Sequence, residues 1–287
     1  MHGGERNGLC LTRRIDITSD PYLAQHMLDD VPVLPAAVAL ELFAETAAAF
    51  WPDRVVTEIR NLRVMRGIRL DSGGFDAAVT ASALPPAGES VTEMELRTVG
   101  AAGPPHYRAT VVLGDSVPEP AAYRALLSPA AAPLSARQAY RERLFHGPVF
   151  QTVTRLVGLD AHGALAEMRG GDVAAWRPSV ANANTWLFDP GLVDGAAQMA
   201  LVWAYVTASE SALPSRFGRV RRFGSESFGR GRMHFLVYPE RPEHHVKAEV
   251  AFVDEQGRLR LLIEQLECTS SPALNRLGGT WKGEICV

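Results

Sequence analysis

Lysine is almost missing from this chain: Lys247 and Lys282 are the only two, and arginine supplies the other cations. Basic residues total 29 against 32 acidic ones, for a net charge of −3. The basic excess that a nucleic-acid surface demands is therefore absent. Cysteine is scarce as well. Cys10, Cys268 and Cys286 show neither metal-ligand spacing nor the even count of a disulfide scaffold. Isolated thiols suit a reducing compartment, and the cytoplasm is the expected location. Long apolar runs are also lacking. Val31 to Leu40 and Ala196 to Val206 are too short or too interrupted to cross a bilayer. The start from Met1 to Arg14 is polar and charged and has no signal-peptide core. No membrane or nucleic-acid partner is expected.

What is present suffices for a large core. Hydrophobic residues make up 47% of 287 and charged residues 21%, enough for one large domain or two packed modules. The composition shifts at Asp115 to Pro133, rich in Pro, Ala and Ser, which reads as a connector with room for one helical turn. The expected division is an N-terminal module at 1–120, a linker at 121–134 and a C-terminal module at 135–287. Each side holds one strongly apolar helix, at Pro35 to Phe50 and Leu192 to Val206. Both are apolar around most of their circumference and so are expected to be buried. Proline at the start of the first costs no hydrogen bond.

Around the helices lie strand-like segments. In the first half they are Val55 to Leu62, Ile68 to Leu70, Phe75 to Ser82, Val91 to Val99 and His106 to Leu113. In the second they are Gln151 to Leu159, Ala164 to Met168, Gly218 to Phe223, Arg232 to Pro239, His245 to Asp254 and Leu259 to Thr269. Several alternate polar and apolar residues, the mark of half-buried strands. Gln256-Gly257 reads as a hairpin turn. A central helix wrapped by antiparallel strands, twice over, is an α+β architecture with a repeated module.

Three constellations carry chemistry. His26 lies nine residues before Pro35, a layout that aims an imidazole at a helix N-terminus, where free N–H groups favour negative charge. The plainer reading is a loop histidine that caps or packs. Asp194 and Gln198 are four apart and share one helical face within apolar sequence. Burial there favours the protonated, proton-donating carboxyl. Asp189 is the better N-cap, because Pro190 then takes the first helical position. A cap remains the plainer reading of Asp194, but its deeper position favours a functional carboxyl. The third is Phe145-His146-Gly147-Pro148-Val149-Phe150-Gln151, a turn entering a strand.

In this order the three resemble the dehydratase domains of modular and iterative polyketide synthases and polyunsaturated-fatty-acid synthases. Those carry His-x3-Gly-x4-Pro, then Gly-Tyr-x-Tyr-Gly-Pro-x-Phe, then Asp-x3-Gln/His. Here His26 and Pro35, then Gly147, Pro148 and Phe150, then Asp194 and Gln198 fill the pattern. The form at 145–151 is most similar to the iterative enediyne type, and Leu213-Pro214 resembles the start of a further family segment. Two positions depart from it: Asp30 stands where the family has glycine, and His146 where it has tyrosine.

The resemblance implies a double hot-dog fold with the active site between the halves. It implies a 3-hydroxyacyl-[acyl-carrier-protein] dehydratase of polyketide or fatty-acid-like biosynthesis. His26 would be the base, Asp194 the acid, and Gln198 the group that holds Asp194 or the hydroxyl. Pro35, His146, Gly147, Pro148 and Phe150 would bind substrate, with N–H groups near Pro35 or at Gly147 facing the thioester carbonyl. No metal or cofactor is expected. The substrate would arrive on the phosphopantetheine of an acyl carrier protein, and the chain would act as a homodimer or within a larger synthase. The same His/Asp pair also suits double-bond isomerisation or cyclisation. A non-catalytic copy of the fold is the other alternative, with Asp30 in its favour. Arg216, Arg219, Arg221 and Arg222 form a basic run, either a solvated strand face or a contact for an acidic carrier protein.

Overall fold

The computed structural model describes residues 8–70, 73–85, 89–124, 129–177 and 185–287. Its strands are β1 (Leu9–Asp16), β2 (Met27–Leu28), β3 (Val31–Pro32), β4 (Val55–Val64), β5 (Gly74–Ala81), β6 (Val91–Thr98) and β7 (Tyr107–Gly114), followed by β8 (Val153–Asp160), β9 (Gly163–Arg169), β10 (Ser211–Arg222), β11 (Arg230–Val237), β12 (His245–Asp254) and β13 (Leu259–Ser271). The helices are α1 (Ala36–Phe50), α2 (Ala136–Glu142), α3 (Val173–Trp176) and α4 (Pro190–Ala208).

Eleven strands form one antiparallel sheet in the order β1-β5-β6-β7-β4-β10-β13-β12-β11-β9-β8. The first five come from the N-terminal half and the last six from the C-terminal half. They join where β4 pairs with β10, Ile59 opposite Val220 and Leu62 opposite Phe217. Alternation along β5 and β6 follows their sequences, with Phe75, Ala77, Val79 and Ala81, then Met94 and Leu96, turned to the core. The fold is α+β, a double hot-dog.

Both long helices are buried, as their composition requires. In α1, Ala39, Leu40, Phe43, Ala44 and Ala47 are fully enclosed, and every residue of α4 from Pro190 to Ala204 is buried. The two helices touch each other inside the fold. Asp189 caps α4, accepting from the N–H groups of Gly191 and Leu192, with Pro190 in the first turn. Pro35 sits one position outside α1, in extended conformation, and is not its first helical residue.

Four other readings need correction. Leu9–Asp16, overlapping the polar and charged start that gave no strand signal, is edge strand β1, whose exposed Arg and Thr positions conceal its period. Residues 1–7 lie outside the described residues. Ile68–Leu70 contributes only a single bridge from Arg69 to Val33. Strand β10 begins at Ser211, seven residues before Gly218, because a bulge between Pro214 and Arg216 accommodates the proline. The turn between β12 and β13 is longer than Gln256-Gly257: the Asp254 carboxylate accepts from the N–H groups of Gln256 and Arg258.

The connector is pinned to the C-terminal half where it is described. Ala122 bridges Arg258, and Ala131 bridges Gly158. Residues 125–128, part of the connector in which one helical turn was expected, lie outside the described residues. Among the described residues, no helix is long and apolar enough to cross a membrane.

Candidate active site

His26 follows a 3-10 helix at Pro21–Gln25 and opens the hairpin β2–β3. Its carbonyl accepts from the Val33 N–H at 3.0 Å, and its Nδ1 lies 2.9 Å from the Val33 carbonyl oxygen. A carbonyl can only accept, so Nδ1 carries the proton and Nε2 presents a lone pair. The ring is packed by Phe145 and Phe150, with centroids 5.2 and 5.3 Å away. Nε2 faces Oδ1 of Asp194 at 3.9 Å. That is too long for a hydrogen bond and leaves both groups turned to the cleft.

Asp194 occupies the second turn of α4 and is 6% exposed. Its Oδ2 accepts from the Gln198 amide at 2.7 Å. Gln198 is itself fully held: its Nε2 also donates to the Phe150 carbonyl at 2.9 Å, and its Oε1 accepts from the Tyr140 hydroxyl at 2.8 Å. The Tyr140 oxygen in turn accepts from the Val153 N–H. A buried network satisfied at each of these links fixes one rotamer of Gln198 and therefore of Asp194.

Burial dominates the electrostatics. It lowers the pKa of His26, against an opposing pull from Asp194. It raises that of Asp194, against His26 and the Gln198 bond. Both shifts favour a neutral imidazole beside a protonated carboxyl. His146 is pushed well below the usual imidazole value by burial, then by His26.

His146 completes the cluster. Its backbone bridges that of His26, its ring stacks on Phe145 at 4.0 Å, and its Nε2 lies 3.3 Å from Oδ2 of Asp194. The cleft in front has a volume of about 220 Å³ and an apolar wall that includes Pro35, Ala36, Ala37, Leu201, Leu213 and Pro214. The first N–H groups of α1, at Ala36 and Ala37, have no intrahelical acceptor, and both residues line this cleft.

Gly147, Pro148 and Phe150 do not border it. Gly147 N–H donates to the Gln25 carbonyl at 2.8 Å and is thus unavailable to a thioester oxygen. A side chain at Gly147 would meet Gln25 Cβ at 2.7 Å and the Trp281 ring at 2.9 Å, so only glycine fits. The Pro148 carbonyl accepts from Arg169. Phe150 is fully buried behind His26 and packs on Trp176. The three build the wall that carries His146.

Asp29 and Asp30 form the two-residue turn between β2 and β3, with φ of 50° and 61°, the pattern of a type I′ hairpin. Asp29 pairs with Arg276, and Asp30 is exposed and outside the cleft lining. The basic run on β10 is largely neutralised. Arg216 pairs with Glu267, Arg219 with Glu58 and Arg221 with Glu264, while Arg222 donates to the Val56 carbonyl. It is a strand face laced with ion pairs.

Sequence reasoning missed Tyr140, Gln25 and Glu41, and placed Gln151 in a motif without giving it a role. Gln151 donates to the His146 carbonyl and also holds the C-terminal segment through Glu284 and Cys286. Glu41, on α1, accepts from the N–H groups of Leu187 and Phe188 just before α4, and burial pushes its pKa up to about 8. Apart from the Gln151–His146 bond, five residues apart, most of these contacts span large sequence separations, where spacing gives no signal.

Comparison with known proteins identifies the family. The family model described as "Polyketide synthase dehydratase N-terminal domain" matches residues 118–277, more than half the chain. A second, "Polyketide synthase dehydratase domain", matches residues 2–97. The chain belongs to the polyketide synthase dehydratase family. Members of this family are hydro-lyases that act on 3-hydroxyacyl thioesters. A polyunsaturated fatty acid synthase polypeptide of Thraustochytrium sp. is 29% identical over 221 residues, covering 74% of this chain and 8% of that protein. The chain thus spans a small part of that relative's length. Among solved structures, the dehydratase domain of the CurF module of curacin polyketide synthase superposes with a TM-score of 0.74 at 16% identity, over 94% of this chain and 96% of that one. The PpsC dehydratase domain from Mycobacterium tuberculosis, solved in complex with C12:1-CoA, gives 0.69 at 21% identity, over 94% and 97%.

Proposed function

We infer that this chain removes water from a 3-hydroxyacyl thioester and that His26, Asp194 and Gln198 do the work. The observation that carries the reading is the 3.9 Å approach of His26 Nε2 and Asp194 Oδ1 in the lining of an apolar cleft. The α-proton of the substrate needs a base, and the β-hydroxyl needs an acid to leave as water. Nε2 takes the α-proton, and the carboxyl proton goes to the departing hydroxyl. The C–H and C–O bonds break, the 2-enoyl double bond forms, and return of the proton from imidazolium to carboxylate resets the pair. Gln198 holds the carboxyl and stabilises the carboxylate once it has formed. Pro35 and His146 shape the cleft, and the N–H groups of Ala36 and Ala37 bind the thioester oxygen as enolate character grows. Each positioned proton donor or acceptor is worth about 10²–10⁴-fold.

The acyl chain arrives as a thioester on the phosphopantetheine of an acyl carrier protein. An acyl thioester bound to the PpsC domain is in keeping with this. No cofactor enters the scheme. The chain functions in the cytoplasm, as a homodimer or within a larger synthase, organised as modules 1–120 and 135–287 about the linker 121–134.

The test is mass spectrometry of a 3-hydroxyacyl carrier protein incubated with the chain. Loss of one water, abolished by Asp194→Asn and by His26→Phe, is the expected result. Rearrangement without mass change would indicate an isomerase or cyclase, and no reaction a non-catalytic copy.

A further inference from the structure

We propose that His26, His146 and Asp194 form a binding site for a zinc-type divalent cation, created by the histidine at position 146. The three side chains are all buried, and one ligand atom from each lies within 4.8 Å of the others. Asp194 Oδ2 is 3.3 Å from His146 Nε2, and its Oδ1 is 3.9 Å from His26 Nε2. Around a tetrahedral zinc ion, ligand atoms bound at about 2.0–2.2 Å stand roughly 3.4 Å apart. The Asp194–His146 edge already has that length, and the wider edges, all within 4.8 Å, close by movement of the rings.

Neighbouring groups support ligation. His26 is oriented as metal-bound histidines usually are, with Nδ1–H on a backbone carbonyl and Nε2 turned inward. The Nδ1 of His146 is buried and has no hydrogen-bond partner, so it can carry the ring proton and leave Nε2 as a lone pair. Asp194 keeps its Gln198 bond as outer-shell support. The cleft supplies an open side for a water ligand. Two imidazoles and one carboxylate select Zn²⁺ or Co²⁺ over Mg²⁺ and Ca²⁺, which require more oxygen ligands. Where the family pattern has tyrosine at position 146 no neutral nitrogen is offered, whereas the histidine here supplies one.

The consequence rests on the dehydration reading. The cation occupies the lone pair of His26 and the carboxylate of Asp194, the same atoms the proton transfers use. Metal binding and turnover therefore exclude each other, and Zn²⁺ is a reversible inhibitor.

The test titrates the whole chain with Co²⁺. One equivalent should bind with a visible ligand-field band that Zn²⁺ displaces. In ¹⁵N-histidine spectra of the wild-type chain, Zn²⁺ should shift two of the eight imidazoles. His146→Phe should lower Co²⁺ affinity by more than about 100-fold, beyond the loss of an outer-shell partner, and Asp194→Asn should do the same. His244→Ala, which removes the outlying His244–Glu210 pair, should change nothing. Wild-type affinity in His146→Phe, or no band with excess Co²⁺, would overturn the site. Turnover undiminished in the Co²⁺-loaded chain would overturn the exclusion. If the chain fails to dehydrate at all, the spectra still decide whether the metal site exists.

Discussion

The Nδ1 of His26 lies 2.9 Å from the carbonyl oxygen of Val33, and that one bond decides which nitrogen of the ring faces Asp194. Turnover then requires an unprotonated Nε2 and a protonated Asp194. Burial lowers the first pKa below 6.5 and raises the second above 3.8. Activity should fall as pH drops through the His26 value and fall again as pH rises through the Asp194 value. The acid limb of kcat/KM should lie below 6.5. The Gln198 bond holds the Asp194 pKa down, so Gln198→Ala should move the alkaline limb upward. A wild-type acid limb above 6.5, or an unmoved alkaline limb in that variant, would argue against these assignments.

Tyr140 is a positioning residue. Its hydroxyl donates to Gln198 and accepts from the Val153 N–H. Tyr140→Phe strands both buried partners, at a cost of about 1–3 kcal/mol for each group left unsatisfied. It also frees the Gln198 amide to rotate. The expected outcome is a lower Tm, with kcat falling roughly tenfold, equivalent to about 1.4 kcal/mol, and KM little changed. A variant that loses stability but keeps kcat would limit Tyr140 to a packing role.

Much of this arrangement is readable in the sequence, for identifiable reasons. Helices α1 and α4 announce themselves because apolar residues surround them and a proline marks each start. Asp194 and Gln198 stand out because a carboxyl within Leu-Val-x-Gly-Ala-Ala has fewer bland uses once Asp189 takes the cap. Strand β1 is hidden because an exposed edge tolerates Arg13, Thr12 and Arg14. The first half of β10 is hidden because Pro214 reads as a stop, whereas a bulge absorbs it. Tyr140 and Glu41 leave no trace, since each meets its partner only through the tertiary fold.

Acid should destabilise the native state through its buried histidines. His26 and His146 both have lowered pKa values, so below about 6.5 the unfolded chain binds more protons than the folded one. Their contribution is present at neutral pH and is lost as pH falls below that point, until the folded values are reached. Asp194 works in the opposite direction, because its raised pKa lets the native state hold a proton above 3.8. Denaturant midpoints at pH 7.5 and 5.5 should therefore differ more for the wild type than for His146→Phe. Equal differences would show that His146 titrates alike in both states.

Asp30 marks the departure that most invites a reading of lost activity, and its geometry argues otherwise. It occupies the second position of a turn whose two residues both have positive φ, where aspartate is tolerated and glycine is at ease. The side chain is exposed and does not border the cleft. The hairpin it closes nonetheless matters, since the backbone of Val33 on its far side holds both the carbonyl and the ring of His26. Asp30→Gly should therefore preserve the turn and leave kcat/KM within roughly a few-fold. Asp30→Val forces a β-branched residue into the left-handed region. It should lower Tm by several degrees and, by disturbing Val33, reduce kcat as well. Asp29→Ala, which removes the Arg276 pair but leaves Asp30 in place, should act more mildly than Asp30→Val. Steady-state kinetics and melting curves on the three variants separate the two ideas. A large gain in dehydration by Asp30→Gly would mean that the carboxylate reaches the cleft and opposes enolate formation.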